Sequence, residues 1–285
     1  MKFRNYYLLI FALLLSGCGV DKLLIEREVN NIDREVVREL REYANFNQQQ
    51  RALINEIGTA TQDWVRADIL PIAAVKIGKV ANDLELYGKL RKSTYDDIVE
   101  FIYRPGRLSQ QEAIFTDLSQ LFFAASEEQN QQVLKALVEK HAERTKERNE
   151  RDLEEQKKGI LRGLKFVFRG LGVSRSRAQL AQASEILDAR RDLNPLSEQF
   201  YNEINQQFVA LSQNRATDFE QFRQAYQAAW VALENGADQA FKEQFSENAD
   251  NGYAAIDYLF STLSAEEQAE AIINLRDYQQ FISSL

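Results

Sequence analysis

Apolar residues recur every three or four positions along most of the chain, which is the spacing of a helix that buries one face. A first stripe of this kind is spaced 4, 3, 4, 4 and 3, and its members are Ile25, Val29, Ile32, Val36, Leu40 and Tyr43. A second stripe is mainly aromatic and consists of Phe219, Phe222, Tyr226, Trp230 and Leu233. The aromatic stripe suits a ligand groove as well as a core, and we favour the core. Each stripe predicts an amphipathic helix.

The starts of several helices are marked by capping boxes, in which a Ser or Thr and a Glu or Gln three residues later satisfy each other's backbone N–H groups. These boxes are Ser109–Glu112, Ser126–Gln129, Thr217–Glu220 and Ser264–Glu267, with a weaker version at Asn47–Gln50 and a similar run at Leu196–Gln199. The three prolines, Pro71, Pro105 and Pro195, fall at predicted starts or kinks. We therefore predict an all-α fold, a multi-helix bundle of about ten helices with one long charged helix.

The long charged helix is predicted from residues 139–158, where fourteen of the twenty residues are charged and only Ala142 and Leu153 could face a core. We expect one helix from Ser126 to Lys158, about 50 Å long, rather than a disordered segment. A helix that is polar all round projects into solvent or bridges two lobes. We therefore expect an N-terminal helical lobe over residues 18–150, which includes most of this helix, and a C-terminal helical lobe over residues 151–285.

The N-terminus reads MKFRNYYLLIFALLLSGCG, with Lys2 and Arg4 ahead of a ten-residue apolar run, Tyr6–Leu15. Ten residues are too few to span a bilayer, which takes about 20 apolar residues, and the whole segment has the anatomy of a secretory signal. The run ends in Leu15-Ser16-Gly17-Cys18. This ending resembles the bacterial lipobox, an aliphatic residue and two small ones before the cysteine that takes the lipid.

The lipobox resemblance implies that residues 1–17 are a lipoprotein signal peptide, cut between Gly17 and Cys18, and that Cys18 carries acyl chains such as palmitate. The alternative is a cysteine in an ordinary signal anchor. In lipoproteins of this kind an Asp after the cysteine marks retention in the inner membrane, so Gly19 implies the periplasmic side of the outer membrane. Cys18 is the only cysteine, so lipidation leaves no thiol for a disulfide, a metal ion or catalysis.

The charge of the chain is acidic overall, with 35 basic and 43 acidic residues. Loss of residues 1–17 removes Lys2 and Arg4, which leaves 33 basic against 43 acidic residues and a net charge of −10. The acidic excess is concentrated in residues 185–285, which carry 17 acidic and 6 basic residues. A protein with this charge that faces the periplasm is not expected to bind nucleic acid.

One segment, residues 156–184, has the opposite charge, with no acidic residue and seven basic ones. The basic residues are Lys157, Lys158, Arg162, Lys165, Arg169, Arg175 and Arg177. On a helix, an apolar face would be shared by residues 160, 161, 164, 167, 168 and 171, opposite a basic side. Glycines at 159, 163 and 170 suit close helix packing. Two interpretations stay open: a helix packed in the bundle with its charges solvated, or a surface for anionic lipid or an acidic partner.

Residues 40–74 resemble a family of gammaproteobacterial lipoproteins that is described only as a domain of unknown function. The matching residues are Tyr43, Gln50, Trp64, Arg66, Leu70 and Pro71. Val65 stands where the family has His, and Phe46-Asn47 replace Leu-Thr. The charged segment 126–158 is also similar to that family, so that the resemblance covers about half of the mature chain. It implies an all-helical lipoprotein without a known activity, and the change at Val65 argues against a shared functional histidine.

Groups that carry chemistry are scattered along the chain and form no recognisable motif. The single histidine, His141, lies in the charged helix, where we expect it to be exposed; a Ser-His-Asp triad or a Glu-x-x-His metal pair would depend on it. Carboxylates are plentiful, and Glu56 and Asp63 lie within about two helical turns of Trp64, but nothing selects one glycosidase-type pair. We therefore predict no catalytic residue, no metal ion, no cofactor and no small-molecule substrate.

The function predicted from these features is a non-catalytic scaffold or adaptor, tied to the membrane by its lipid anchor and bound to another envelope protein. One alternative is a holdase, because small helical periplasmic chaperones carry repeated Leu-Thr-x-x-Gln helix starts. Leu108-Ser109, Leu196-Ser197 and Leu263-Ser264 resemble these starts, although capping alone explains them. A second alternative is a carboxylate-based hydrolase. Suppression of aggregation of an unrelated client separates a holdase from an adaptor.

Overall fold

The structure, a computed structural model, describes residues 22–103, 111–213, 217–235 and 239–285. These residues form α-helices and one π-helical turn, without a strand among them, which confirms the all-α prediction. In chain order the elements are α1 (Lys22–Asn30), α2 (Ile32–Arg41), α3 (Gln48–Trp64), π1 (Val65–Ile69), α4 (Leu70–Tyr87), α5 (Lys92–Tyr103), α6 (Glu112–Phe123), α7 (Glu127–Asn149), α8 (Leu153–Gly170), α9 (Arg177–Leu187), α10 (Asn194–Gln213), α11 (Phe219–Asn235), α12 (Gln239–Ser261) and α13 (Ala265–Ser283).

The core is a contiguous cluster of buried apolar side chains that runs from Ile25 to Ile282. Its most extensive helix contacts are between α4 and α13 and between α2 and α3. Every member of the first predicted apolar stripe is buried in it, and so are Phe222, Tyr226 and Trp230 of the aromatic stripe. The aromatic stripe is therefore core, as we expected. The division of the chain into lobes near residue 150 stays a prediction.

The first apolar stripe is carried by two helices rather than by the single helix we expected. The chain turns at Asn31, whose N–H donates to the carbonyl of Glu28 at 3.2 Å while its own carbonyl accepts from Glu35 at 3.0 Å. Ile32 resumes the buried face at the start of α2. The stripe continues across the turn because both helices present it to the same core.

Helices α3 and α4 form one continuous helical segment that is interrupted by π1. The N–H of Leu70 donates to the carbonyl of Val65, five residues back instead of four. Pro71 lies in the first turn of α4, directly after the π turn, where it has no N–H to continue the hydrogen bonds of the segment. The wider π turn fits this proline into the segment, and the prediction that Pro71 falls at a helix start or kink is confirmed.

The charged segment is not one helix, and the prediction of a continuous helix from Ser126 to Lys158 is wrong. Helix α7 ends at Asn149, and Asp152 caps a new helix by accepting the N–H of Glu155 at 2.8 Å. An Asp at this position is a strong helix start. Helix α7 also packs against α10, so it is not solvated on every side.

The capping boxes mark true helix starts at Asn47, Ser126 and Ser264. The predicted box at Thr217 is wrong, because Asp218 accepts the N–H of Gln221 at 3.0 Å and starts α11 instead. Helix α6 begins at Glu112, and Ser109 and Pro105 lie outside the described residues. Pro195 occupies the first turn of α10, which confirms its prediction at a helix start, and the start predicted at Leu196–Gln199 is wrong because Ser197 lies inside that helix. A capping box at Ser176–Gln179, which was not predicted, starts α9.

Candidate functional site

Helix α8 separates its apolar and basic residues onto two faces. The apolar face packs in or against the core and comprises Ile160, Leu161, Leu164, Val167, Phe168 and Leu171. Phe168, for example, lies 4.9 Å from Phe260 between ring centroids. The opposite face carries Lys158, Arg162, Lys165 and Arg169, all of them exposed. We call these four residues the cationic stripe. The apolar face of the segment thus packs in the bundle, as the first of the two interpretations expected, and the use of the basic residues as a contact surface stays a prediction.

The other three predicted surface residues behave differently from one another. Lys157 donates to Asp188 at 2.5 Å and to Glu154 at 2.9 Å, and these hydrogen bonds raise the pKa of Lys157. Arg177 is exposed at the start of α9. Arg175 is buried, so the prediction that it belongs to an exposed cationic surface is wrong.

The buried guanidinium of Arg175 ties the loop after α8 to the turn between α12 and α13. It donates to Glu267 Oε1 at 2.5 Å, to Thr262 Oγ1 at 3.3 Å and to the carbonyl of Leu259 at 3.4 Å. The hydrogen bond from the N–H of Ser264 lowers the pKa of Glu267, and the hydrogen bond from Arg175 lowers it further. The acidic C-terminal part of the chain thus neutralises Lys157 and Arg175.

Only one residue of the cationic stripe forms an ion pair within the described part of the chain. Lys158 pairs with Glu155 at 3.0 Å on the surface, whereas Arg162, Lys165 and Arg169 make no hydrogen bond or ion pair with a described residue. A Cβ atom added at Gly159 or Gly163 would meet nothing within 4 Å. The expectation that these glycines serve close helix packing is therefore wrong, and they leave the surface beside the stripe open.

The end of α8 is fixed by a Schellman motif, which satisfies its last carbonyl groups. Val173 N–H donates to the carbonyl of Phe168 at 2.9 Å, and Gly172 N–H donates to that of Arg169 at 3.0 Å. Gly172 adopts φ 77°, a conformation that suits glycine because it lacks a Cβ atom. The side-chain amide of Asn274 on α13 donates to the carbonyl of Leu171 at 3.1 Å.

A second candidate surface, which the sequence analysis missed, lies on the outer side of the helix pair α4 and α13. Four of the nine large apolar side chains that are exposed in the described residues lie there, namely Ile72, Val75, Leu86 and Ile273. Arg276 Nη2 donates to Asn82 at 2.5 Å and to Glu85 at 2.9 Å, which aligns the two helices. We call Ile72, Val75, Leu86 and Ile273 the outer apolar face. On α4, residues 72, 75 and 86 share one side of the helix with Lys79 and Asn82, so polar residues interrupt the apolar spacing in the sequence.

Residues considered for catalysis are far from forming a site. His141 is half-buried rather than exposed as expected, and its Nε2 lies 2.6 Å from Asn202 Oδ1 on α10. Glu56 and Asp63 are exposed, while Trp64, which follows Asp63, is buried. Burial of Asp117 on α6 raises the pKa of its carboxyl, and the negative charge of Glu56 raises it further. Among the described residues, no group of three His, Cys, Asp or Glu side chains could hold a metal ion.

The residues that resemble the lipoprotein family have structural contacts. Tyr43, Trp64 and Leu70 are buried in the core. Gln50 is buried and hydrogen-bonded to Gln129. Arg66, which is exposed, donates to Asn30 at the end of α1, and Pro71 follows π1. Val65 is itself buried, so the position at which the family has His faces the core here.

The lipobox residues Gly17 and Cys18, Gly19 and the whole of the signal peptide 1–17 lie outside the described residues. Among the described residues, no helix is both long and apolar enough to cross a membrane. No family model, no curated protein and no solved structure matches this chain. The resemblance to the gammaproteobacterial lipoproteins therefore stays a prediction.

Proposed function

We propose that this protein is an envelope lipoprotein, held at the periplasmic side of the outer membrane by acyl chains on Cys18, and that it acts as a non-catalytic adaptor. The proposal combines an anchor, which the motif Leu15-Ser16-Gly17-Cys18 supports, with a binding surface, which the outer apolar face supports. The buried polar groups favour a structural role, because Gln50, Gln129 and Arg175 are occupied in joining helices.

The anchor is supported by the short distance along the chain between Cys18 and the folded body. Helix α1 begins at Lys22, and four residues span at most about 14 Å. Leu23 and Leu24, the next two residues, are exposed at 67% and 37%. Exposed leucines beside a lipid anchor add apolar area to a membrane contact.

The outer apolar face is the single observation that carries the adaptor role. Isolated exposed apolar residues are ordinary, but a group of them on neighbouring helices is typical of a binding surface. Ile72, Val75 and Leu86 are separated by three and eleven residues, so they lie along one side of α4. Ile273 precedes Arg276 by about one turn of α13, and Arg276 reaches Asn82 and Glu85. A partner helix with an apolar stripe would fit along this face.

The test is photo-crosslinking in cells from single positions that carry a photoreactive amino acid. Val75 and Leu86 are the test positions, and Val138 on α7 is the matched control because its exposure, 54%, is nearly that of Val75, 56%. We expect one reproducible partner from Val75 and Leu86 and none of it from Val138. Equal crosslinking from all three positions would contradict a specific adaptor face.

The same experiment separates the adaptor from the holdase. A holdase binds many unfolding clients, so its crosslinks would be spread over unrelated proteins and would rise on heat shock. The purified protein would then also suppress aggregation of an unrelated client, whereas an adaptor would not. A single crosslinked partner together with no suppression is the result we expect.

A further inference from the structure

The seven basic residues of segment 156–184 divide into residues that serve the fold and residues that do not. Lys157 and Arg175 are paired with Asp188 and Glu267, both in the acidic C-terminal part of the chain. Arg162, Lys165 and Arg169 have no such partner among the described residues. The described helices therefore gain no ion pair from these three charges, which are left available on one side of α8 for a contact outside the bundle.

The cationic stripe has the form of an interfacial helix surface. Residues 158, 162, 165 and 169 are spaced 4, 3 and 4 and cover about 17 Å of helix. Phe166 is half-buried, is not packed against the core cluster, and neighbours Arg162 and Arg169 on the helix surface. Basic side chains beside an aromatic ring, with open space at Gly159 and Gly163, suit a layer of lipid headgroups.

The position of α8 relative to the start of α1 follows from contacts with α13. The end of α8 lies against Glu270 and Asn274, since Asn274 binds the carbonyl of Leu171 and a Cβ atom at Gly172 would lie 2.8 Å from both. Lys22 at the start of α1 pairs with Asp277 at 2.6 Å and lies over the ring of Phe281 at 5.5 Å.

The four contact residues on α13 lie on one face of that helix, because positions 270, 274, 277 and 281 are spaced 4, 3 and 4. Asn274 and Asp277 are about 4.5 Å apart along the axis. The end of α8 and the start of α1 are therefore neighbours on the same side of α13. Four residues of extended chain reach at most about 14 Å from Lys22, so a leaflet anchored through Cys18 would be close to the C-terminal end of α8, where Arg169 lies.

We infer that Lys158, Arg162, Lys165 and Arg169 bind the headgroups of anionic phospholipids and orient the body on the leaflet to which Cys18 is anchored. This inference rests on the proposed lipid anchor. The chain without its signal has a net charge of −10, so most of its surface is repelled by an anionic leaflet. The stripe is attracted, and each basic residue raises the partition onto such a surface roughly fivefold. The short tether keeps the stripe at a high local concentration of lipid.

The first test is flotation of the purified chain 19–285, which contains the whole described core, Ile25 to Ile282, and has no anchor. The vesicles are phosphatidylglycerol with phosphatidylethanolamine in one arm and phosphatidylcholine alone in the other. The variant changes the four stripe residues to Gln. Its matched control changes four exposed basic residues on other elements to Gln, namely Arg51, Lys89, Lys135 and Lys242.

We expect the unchanged chain and the control to float with anionic vesicles at low salt and not with neutral vesicles. The stripe variant should lose at least about tenfold in partition coefficient. Salt near 1 M, where the Debye length is about 3 Å, should abolish flotation of the unchanged chain. Equal loss in stripe variant and control, or no flotation of the unchanged chain, would overturn the lipid contact and leave an acidic protein as the partner to seek.

A second variant makes the test independent of any instability caused by the four changes. Phe166→Trp places a fluorophore beside the stripe, while the native Trp64 and Trp230 are both buried at 5% exposure. Brominated anionic lipids should quench the added emission, and brominated neutral lipids should not. Absence of quenching by either lipid would overturn the inference. Because neither test uses Cys18, failure here leaves the proposed anchor standing, and loss of lipidation leaves these results unchanged.

Discussion

Gln50 and Gln129 exchange two side-chain hydrogen bonds, with Gln50 Nε2 donating to Gln129 Oε1 at 3.1 Å and Gln129 Nε2 donating to Gln50 Oε1 at 2.8 Å. Each glutamine is also the third residue of a capping box, so its Oε1 accepts the N–H of Asn47 or Ser126 at 2.9 Å. Gln129 Nε2 reaches the carbonyl of Asn45 at 2.9 Å as well. One buried amide pair therefore joins the starts of α3 and α7.

Replacement of Gln129 by Ala should lower the free energy of unfolding by about 2–3 kcal/mol, because it removes both hydrogen bonds to the buried amide of Gln50 and the partner of two part-buried backbone groups, the N–H of Ser126 and the carbonyl of Asn45. Urea unfolding followed by circular dichroism measures the loss. The control is Gln131→Ala, an exposed glutamine on the same helix that bonds only Glu127, for which we expect less than about 0.5 kcal/mol.

The pairing itself is tested by a double-mutant cycle with Gln50→Ala. Residues that share hydrogen bonds show coupling of about 0.5 kcal/mol or more, whereas independent sites are additive within that range. If the two single losses simply add in the double variant, the amide pair is not a unit.

This pair also illustrates what the sequence could predict. Asn47 and Ser126 were recognisable as helix starts, because capping depends on residues three positions apart. That their glutamines meet depends on tertiary packing across 79 positions, which local spacing does not contain. The same limit explains the charged segment: its composition predicted helix, but the break at Asp152 depends on one N-cap side chain competing with many helix-forming neighbours.

The cationic segment shows the same limit for the candidate site. Periodicity separated the apolar and basic faces of α8 correctly, since both lie on one helix. It could not separate Arg175 from Arg177, because the partner that buries Arg175, Glu267, is 92 positions away. The outer apolar face was not predicted because Ile72, Val75 and Leu86 are mixed with polar residues along α4. Whether they are exposed depends on how α4 packs against α13, which local spacing does not contain.

Replacement of Arg175 by Ala should destabilise the protein by about 3 kcal/mol, since it removes three hydrogen bonds of a buried guanidinium and leaves Glu267 without its cation. Arg177→Ala, two positions on and exposed, is the control and should change stability by less than about 0.5 kcal/mol. Thermal unfolding measures both. Similar small losses for the two variants would contradict the structural role of Arg175.

Two glycines at α8 should respond to alanine in opposite directions. Gly163→Ala should raise the free energy of unfolding by about 0.5–1 kcal/mol, because the site is helical and open. Gly172→Ala should lower it by about 1–2 kcal/mol, since φ is 77° and the added Cβ atom would lie 2.8 Å from Asn274 and Glu270. Thermal melts of both variants measure the signs. Destabilisation by Gly163→Ala would contradict this, because it would indicate that another part of the protein covers the surface beside the cationic stripe.

The pH dependence of stability should include a contribution from Asp97 on α5. Hydrogen bonds from Lys76 and then Lys79 on α4 lower the pKa of this carboxyl. Its stabilisation is therefore present above the unfolded-state pKa, near 4, and is lost as the pH falls through the lower folded-state pKa. Asp97→Asn should cost about 1 kcal/mol at pH near 7, and this difference should shrink below pH about 4.

The control for Asp97 is its neighbour Asp96, which pairs with Lys92 at 2.5 Å and is half exposed. A single exposed pair of this kind contributes about 0.3–0.5 kcal/mol, so Asp96→Asn should have the smaller effect at neutral pH. Urea unfolding at a series of pH values gives both curves. A loss for Asp97→Asn that stays constant down to pH about 3 would mean that packing, not charge, is responsible.

Replacement of Cys18 by Ala should remove the anchor, because no other residue of this chain has a thiol to take the acyl chains. Several chains bind a membrane firmly, whereas one alone is marginal, so the variant should be found unprocessed or in the periplasmic fraction. Metabolic labelling with palmitate, gel mobility and sucrose-gradient fractionation measure this. Gly19→Asp is the matched variant: it keeps the thiol and the label but should move the protein to the inner membrane. A Cys18→Ala protein that is cut like the unchanged one and still fractionates with the outer membrane would show that the body holds itself there. The outer apolar face and the cationic stripe would then be the first surfaces to mutate in search of what retains it.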